Sequence, residues 1–466
     1  MTVQEAKKES FLHRLVPKGR GDVDMTEGNI VRHLIGFALP LLVGNLFQQL
    51  YNTVDAWVVG NYVSNEAFSA VGTVTPIINL LIGFFTGLAT GAGVVISQHY
   101  GARKFQEVER AVHTAIVMTL VLGVLFTLIG VGMTPFMLRF MKTPADVFPQ
   151  SKLYLTIYFS GILALMFYNM GAGILRAVGD SRKPFYFLLF SSVVNTIMDL
   201  VLVLGFHMGV EGVALGTIIA EAASAILVLT TLLRTHSVVR VSLRKLRMDL
   251  TMMKKILQVG LPVAIQMAVT SFSNVFVQSY INVFGADAMA GWTAHNKLDQ
   301  LILLPMQSMA LACTTFVGQN LGRGLEPRAR QGIRTTMILS EVVTVALMIP
   351  LLLFAPQMVA FFNSKPEVVE YGARIMLLVC PFYVLCVINQ VLAGALRGSG
   401  NSKAPTFIML ASFVLFRQIY LAVISRVLPG MFAPVALGYP AGWLVCSTLM
   451  LIYYKRTQLT LTRVVD

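Results

Sequence analysis

The stretch MGAGILRAVGDSRKP at residues 170–184 returns as VLAGALRGSGNSKAP at residues 391–405, with seven of the fifteen positions identical. The two copies lie 221 residues apart. The same offset aligns two further pairs, Gln98 with Gln319 and Gly101 with Gly322. Repetition at a fixed spacing indicates a duplicated structural unit. The sequence therefore predicts two similar halves.

The chain around these copies is too apolar for a soluble protein. Of its 466 residues, 56% are hydrophobic and only 12% are charged, roughly half of the charged fraction that is usual in soluble domains. Apolar segments recur along the chain, and roughly 20 residues suffice to cross a bilayer as a helix. We count twelve, near residues 33–60, 68–96, 109–134, 152–176, 184–206, 211–233, 254–283, 288–318, 332–354, 368–396, 404–427 and 434–454. The expected fold class is all-α integral membrane, with twelve transmembrane helices in two six-helix lobes.

Lys and Arg are divided unequally between the two sides of this arrangement. Counted with flanking turns, 28 of the 36 lie on one side and six on the other, while Lys297 and Arg417 fall inside segments. Cytoplasmic loops carry the excess of Lys and Arg, so both termini are expected in the cytoplasm. Because each half has six helices, the repeats share one orientation, and a pseudo-twofold axis along the membrane normal should relate them.

Five parts make up the expected organisation. They are a cytoplasmic tail at residues 1–30, a first lobe at 31–233, a cytoplasmic linker at 234–253, a second lobe at 254–455 and a cytoplasmic tail at 456–466. The first tail has no apolar core, so it does not have the pattern of a cleaved signal peptide. We expect partial order around Phe11–Val16.

The net charge of +14 does not indicate nucleic-acid binding. The basic residues lie between apolar segments, and no basic stretch alternates with aromatic residues for base stacking. The four cysteines lie in apolar segments without metal-site spacing, and we interpret them as packing residues.

The repeated Leu-Arg-x-x-Gly-x-Ser pattern of residues 175–181 and 396–402 is typical of a helix end. Its Gly would end one helix, the following Pro would start the next, and the Arg would contact lipid phosphate or helix carbonyls. A direct substrate role for Arg176 or Arg397 is the alternative.

Polar residues form a stripe on the first apolar segment. Gln48, Tyr51, Asn52 and Asp55 recur at spacings of three and four, which places them on one helix face. We expect this face to line a water-filled substrate cavity. Asp55 lies about 33 Å along the helix from its cytoplasmic start, in the outer half of the membrane. Pro40 removes a backbone hydrogen bond upstream and is a candidate hinge.

Intramembrane charges are costly and therefore mark functional sites. Asp199 also lies in the outer half, and Asn195 shares its helix face. Thr217 enters the sixth helix from the outside and can reach the same depth. Together with Asp55, these oxygen ligands could hold Na⁺, or the carboxylates could carry protons. Buried hydrogen bonding for helix packing is the alternative.

Other polar groups could line the substrate cavity. Glu221 and Glu341 lie near mid-membrane, where either could meet an organic cation or pack as a protonated or Arg-paired residue, with Arg417 as one candidate partner. Asn169, like Gln48, is expected in the cavity because an amide facing lipid would be unsatisfied. The 24 Met and 29 Phe suit a promiscuous cavity, although most must contact lipid or other helices.

At these residues the sequence resembles the multidrug and toxic compound extrusion family, the MATE transporters of the larger MOP superfamily. The resemblance runs from about residue 25 to the C-terminus. It rests on FALPLLVGNLFQQLYNTVDAWVVGN at 37–61, NTIMDLVLVLGFHMGVEGVALGT at 195–217 and the two Leu-Arg loops. It implies two lobes in a V and proton- or sodium-coupled efflux of bulky, often cationic compounds. It also points to Asp55, Asn195, Asp199 and Thr217 as the coupling site.

The chain departs from one branch of that family. NorM-like members have a Glu in the seventh helix and an Asp in the tenth, whereas this chain has Thr270 at the first place and no carboxylate in the tenth segment past its outer end. The chain is therefore closer to the DinF-like branch, and we expect its coupling carboxylates in the first lobe and none in the second.

The resulting hypothesis is an alternating-access antiporter of a bacterial inner membrane, acting as a monomer and needing no cofactor besides its coupling ion. One alternative is a flippase for lipid-linked precursors, which should require a strongly cationic central cavity. The other is an integral-membrane enzyme, which should require paired catalytic groups or a metal cluster; the seven His residues are scattered.

Overall fold

A computed structural model describes residues 22–457 and residue 459. The first half contains α1 Ile30–Tyr62, α2 Asn65–Gly101, α3 Phe105–Phe140, α4 Phe148–Ala177, α5 Arg182–Asp199 with a π-helical continuation Leu200–Gly205, and α6 Val210–Arg234. The second half begins with α7 Leu250–Asn282, α8 Ala286–Gly322, α9 Glu326–Leu353 and the short α10 Ala355–Ala360. The tenth span joins α11 Pro366–Val379, a 3-10 turn Cys380–Phe382 and α12 Tyr383–Gly398. The eleventh joins α13 Lys403–Leu410, π-helical Ala411–Phe416 and α14 Arg417–Val427, and the twelfth joins α15 Phe432–Ala436 and α16 Gly438–Arg456.

The predicted twelve spans are confirmed. Twelve helical stretches of the described chain are long and apolar enough to cross a membrane, and no strand occurs in residues 22–457. The connection between the halves occupies residues 235–249, slightly shorter than the expected linker, and contains the 3-10 turn Leu243–Lys245. The order expected around Phe11–Val16 lies outside the described residues.

The two Leu-Arg loops end their helices in the same way. Gly179 and Gly400 have φ angles of +86° and +91°, in the left-handed region that glycine adopts readily. One residue further on, Asp180 N donates to Leu175 O at 3.1 Å and Asn401 N donates to Leu396 O at 3.0 Å. These are the Schellman bonds that close a helix C-terminus.

The arginine of the second loop lies inside its lobe and contacts a side-chain amide rather than the helix carbonyls that were expected. Arg397 is buried, and its Nη2 donates to Oε1 of Gln266 on α7 at 2.7 Å. Its position inside the lobe is the reason, because a buried guanidinium needs polar partners from its own surroundings.

Helices α2 and α8 cross closely at their C-terminal ends. A Cβ atom on Gly101 would lie 1.9 Å from Gln319 O, and one on Gly322 would lie 2.1 Å from Gln98 O. Each glycine therefore faces the backbone of the other lobe, and both approaches obey the 221-residue offset. Only glycine allows backbones to approach so closely.

The same two glutamines bind the opposite lobe. Gln98 Nε2 donates to Gly398 O at 2.7 Å, and Gln319 Nε2 donates to Ala177 O at 2.9 Å. Both acceptors are carbonyls of the last helical residue; they lie within the two Leu-Arg loops and are again 221 residues apart. The two lobes are thus joined by a pseudo-symmetric pair of buried hydrogen bonds.

The contact between the lobes continues along α2 and α7. Cβ atoms on Gly87 and Gly91 would lie 2.4 Å from backbone atoms of Ala264 and Gly260, respectively. These positions lie on the half of the helices nearest the basic loops. The lobes are therefore sealed together on the basic side of the molecule.

Candidate functional site

Four side chains from three helices form a polar cluster inside the first lobe. We call Asp55 of α1, Asn195 and Asp199 of α5 and Thr217 of α6 the acidic cluster. Asp199 and Asn195 are 0% and 1% exposed, and the other two are half-buried. The Asp55 carboxyl interacts with both the Asp199 carboxyl and the Asn195 amide. The structure thus brings Asp55, Asn195 and Asp199 together, and Thr217 borders them through its neighbour Gly216, which faces the Asp199 carboxyl.

The acidic cluster is poor in hydrogen-bond partners. Among the described residues, both carboxyl oxygens of Asp199, both side-chain polar atoms of Asn195 and Oδ1 of Asp55 have no partner of acceptable geometry. Buried polar atoms in proteins are nearly always satisfied, because leaving them unpaired is costly. Two adjacent carboxyls with unfilled oxygens form a site that a cation or a shared proton would complete.

The local helix geometry explains how Asp199 reaches this position. The π-helical turn of residues 200–205 begins directly after it, and such turns often accompany functional sites. On the opposite side, α6 presents Gly216, where a Cβ atom would lie 2.3 Å from Oδ1 of Asp199. The carboxyl therefore rests against a helix surface that has no side chain.

Thr217 and a tyrosine border the cluster. The Thr217 hydroxyl donates to Val213 O of its own helix at 3.0 Å, which leaves its oxygen available as an acceptor. The hydroxyl of the buried Tyr154 on α4 interacts with Thr217 and experiences the charges of Asp55 and Asp199. Tyr154 is a neighbour of the site that the sequence analysis missed.

Glu221 lies in a surrounding of tyrosines. Its carboxyl acts electrostatically on the hydroxyls of Tyr51, Tyr158 and Tyr168. Tyr158 follows Tyr154 by four residues, and both are buried. The sequence feature that could have revealed this site is the pair of tyrosines on one face of an apolar helix, since each buried hydroxyl needs a polar partner.

The other predicted cavity residues occupy different surroundings. Gln48 Nε2 donates to the Tyr51 hydroxyl at 3.5 Å, whereas the half-buried Asn169 donates to Leu165 O of its own helix at 2.9 Å. Asn52 is exposed. Pro40 lies inside the continuous helix α1.

The second lobe holds a polar cavity of about 650 Å³, which we call the second-lobe cavity. Residues from α2, α7, α8 and the last three spans line it, including Asn79, Asn274, His295, Asp299, Tyr383, Arg417 and Tyr439. Asp299 is a carboxylate of this lobe that the sequence analysis did not single out. Lys297, two residues earlier, lies over the Phe362 ring, with Nζ 5.6 Å from its centroid.

Arg417 does not pair with Glu341 as considered from the sequence. Its Nη2 donates to Asn274 Oδ1 at 2.8 Å and to Ser273 Oγ at 3.1 Å. These neutral acceptors lie on α7, and Glu341 Oε2 has no hydrogen-bond partner within the described part of the chain.

Twelve helical spans in two pseudo-symmetric lobes, each with a polar interior, define a multi-pass membrane transporter. The family model MatE matches residues 40–201 and 262–423, one stretch in each half. The chain belongs to this family, the MATE transporters, as its resemblance suggested.

Curated relatives agree with the assignment along nearly the whole chain. The probable multidrug resistance protein YoeA of Bacillus subtilis is 29% identical over 455 residues, covering 93% of this chain and 96% of the relative. The probable multidrug resistance protein NorM of Thermotoga maritima is 26% identical over 459 residues, with the same coverage. Both relatives are named as probable multidrug resistance proteins, and the chain, as a member of the MATE family, is a transporter rather than an enzyme.

Solved structures show the same fold. A multidrug resistance MATE family transporter of the MOP superfamily in an outward-facing conformation superposes with a TM-score of 0.87 at 21% identity, covering 93% of this chain and 97% of that one. A MOP superfamily transporter from Pyrococcus furiosus, described as having a binding pocket of reverse polarity, also gives 0.87, at 20% identity and with 93% and 96% coverage. The predicted fold class is thereby confirmed.

Proposed function

We propose that this chain is a cation-coupled antiporter that exports bulky organic compounds, mainly cationic ones, by alternating access. The observation that carries the proposal is the acidic cluster, whose buried oxygens lack partners of acceptable geometry. A cation that supplies those partners stabilises one arrangement of α1, α5 and α6. An ion can shift a conformational equilibrium only through such a difference in affinity between states.

The transported ion is H⁺ or Na⁺. A proton would be shared by the adjacent carboxyls of Asp55 and Asp199, whereas Na⁺ would be held by those carboxyls with the oxygens of Asn195 and Thr217. Either ion removes the repulsion between two buried negative charges. Pro40 then serves as the point where α1 bends, so that ion binding reshapes the cavity and releases substrate outward.

The names of the relatives support small-molecule export. The two lobes contact each other on the side that carries the excess of Lys and Arg. This contact supports an orientation in which the cleft between the lobes is closed towards the cytoplasm. We further propose a monomer in a bacterial inner membrane, with both termini in the cytoplasm and a first-lobe coupling site typical of the DinF-like branch.

The alternative of a lipid-linked precursor flippase has less support. Its pyrophosphate would require several cations in one cavity. The second-lobe cavity is lined by one arginine, Arg417, and no lysine among the described residues.

Efflux from proteoliposomes under separately imposed pH and Na⁺ gradients tests the proposal. The wild-type protein should export a cationic dye under at least one of the two gradients. An Asp55→Asn, Asp199→Asn double variant should bind the dye but lose gradient-driven efflux, because neutral amides neither take up a proton nor attract Na⁺ as carboxylates do.

An Asp146→Asn variant is the matched control, since Asp146 is exposed in a loop and should leave efflux unchanged. Full gradient-driven efflux by the double variant would overturn the proposal. The gradient that drives wild-type efflux identifies the ion.

A further inference from the structure

The second-lobe cavity is separate from the acidic cluster and has its own chemistry. It holds Arg417, Asp299 and five aromatic side chains, while Asn79 of α2 brings a first-lobe amide to its wall. A cavity of about 650 Å³ is within the range of sites for drug-sized ligands. Its position on α2 and α7 places it beside the cleft between the lobes.

Arg417 is a buried cation that has no carboxylate in ion-pair contact among the residues that the structure describes. The side chain is 3% exposed, and its described hydrogen-bond acceptors are the neutral groups of Asn274 and Ser273. Its Nε has no hydrogen-bond partner among the described residues. Since a buried guanidinium is costly unless an anion accompanies it, this geometry favours an incoming carboxylate, which guanidinium binds with two parallel bonds.

Asp299 supplies the opposite charge in the same cavity. The Tyr383 hydroxyl donates to its Oδ1, which orients the carboxylate. Arg417 and Asp299 are too far apart for an ion pair, yet Tyr439 experiences the charge of both. One ligand could therefore contact both groups from the neighbourhood of Tyr439.

Aromatic rings connect these two charged groups. The Arg417 Cζ lies 4.6 Å from the Tyr439 ring centroid, and the Tyr439 ring lies 5.6 Å from Trp292 and 6.1 Å from Trp443. Flat aromatic ligands stack on such rings, and delocalised cations are attracted to their faces.

We propose that the second-lobe cavity binds zwitterionic aromatic compounds, with the ligand's carboxylate on Arg417 and its cationic group towards Asp299. The proposal rests on the exporter function and specifies its substrate class. It narrows the organic cations of the proposed function to those that also carry a carboxylate. Cations without a carboxylate should bind this cavity more weakly, because they leave Arg417 unpaired.

Equilibrium binding of two matched dyes to the purified full-length protein tests this assignment without any ion gradient. Rhodamine 110 carries a carboxylate and a delocalised cation, and rhodamine 123 is its methyl ester. Fluorescence anisotropy should show tighter binding of rhodamine 110 by about tenfold, the equivalent of roughly 1.4 kcal/mol.

The preference is measured as the dissociation constant of rhodamine 123 divided by that of rhodamine 110. An Arg417→Gln variant should lower this ratio to about one by weakening the binding of rhodamine 110, and an Asp299→Asn variant should weaken the binding of both dyes. Arg426→Gln is the control, because Arg426 lies on the same helix, α14, but is exposed. Arg417→Lys retains the charge and should retain the preference, which separates charge recognition from packing.

A wild-type ratio of one or less overturns the assignment even if Arg417→Gln fails to fold. An unchanged ratio in folded Arg417→Gln overturns it equally. Since binding alone is measured, neither result depends on whether the acidic cluster couples transport.

Discussion

At the scale of single residues, the acidic cluster depends on how closely α6 approaches Asp199. Gly216 leaves no room for a Cβ atom beside the carboxyl, since Oδ1 would be 2.3 Å away. A change at Gly216 should therefore alter ion binding without touching either carboxylate.

We expect Gly216→Ala to raise the ion concentration for half-maximal efflux by about tenfold, or roughly 1.4 kcal/mol of lost ion binding. The added methyl group displaces the Asp199 carboxyl from its place beside the Asp55 carboxyl. Efflux titrated against pH and Na⁺ in proteoliposomes measures the shift. Gly132→Ala is the control, because nothing lies within 4 Å of its added Cβ; equal ion dependence in both variants would contradict the role of Gly216.

The sequence predicted the members of the acidic cluster because polar residues at helical spacing in an apolar segment are conspicuous. Asp55, Asn195 and Asp199 each interrupt such a segment. Tyr154 and Asp299 were missed for different reasons. A tyrosine is partly apolar and does not interrupt the pattern, and whether Asp299 is buried depends on tertiary packing that spacing does not show.

At the scale of elements, the segment of residues 22–29 joins the two lobes on the basic side; we call it the N-terminal strap. Val23 N donates to Val178 O at 2.9 Å, and Met25 N donates to Gln319 Oε1 at 2.9 Å. Arg323 lies 2.9 Å from Glu27 in an ion pair. The strap thus contacts the C-terminal region of α4 in one lobe and α8 in the other.

Asp24 contributes a pH-dependent part of this contact. Burial opposes its charge, but hydrogen bonds from Thr26 and the charges of Arg323 and Arg103 outweigh burial, so its pKa lies below the ordinary 3.8. Because the pKa of Asp24 is lower when the strap is docked than when it is free, the ionised carboxylate stabilises docking. This contribution is fully present above pH 3.8 and is lost as the pH falls through the lower pKa of the docked state.

At neutral pH we expect Asp24→Asn to speed amide hydrogen exchange at Met25 and Thr26 by about two- to fivefold, the effect of roughly 0.5–1 kcal/mol for a partly exposed ion pair. High salt should reduce the difference from wild type, because it screens the same charges. Exchange measured by mass spectrometry gives the rates, with the exposed Glu66→Gln as control. Unchanged exchange in Asp24→Asn would show that the strap is held by its backbone contacts alone.

At the scale of the whole molecule, the duplication is symmetric in its framework and asymmetric in its chemistry. The paired glutamine bonds, glycine contacts and Leu-Arg helix ends obey one offset, which is why the fold could be predicted from the repeat. The lobe interiors differ, with adjacent carboxyls in the first and Arg417 with Asp299 in the second. No repeat predicts such differences, because each side chain is set by its own lobe's cavity.

The central claim is that ion and substrate movements are coupled in opposite directions through the acidic cluster. Coupling between two transported species is reciprocal in free energy, so a substrate gradient alone should drive the ion. The direct measurement imposes a dye gradient across proteoliposomes without a pH or Na⁺ gradient and records ion flux with internal indicators. We predict that H⁺ or Na⁺ moves against the dye flux in the wild-type protein and that no such ion movement occurs in the Asp55→Asn, Asp199→Asn double variant. Dye movement without ion counterflow in the wild type would contradict the claim. Equal ion counterflow in the double variant would contradict it as well.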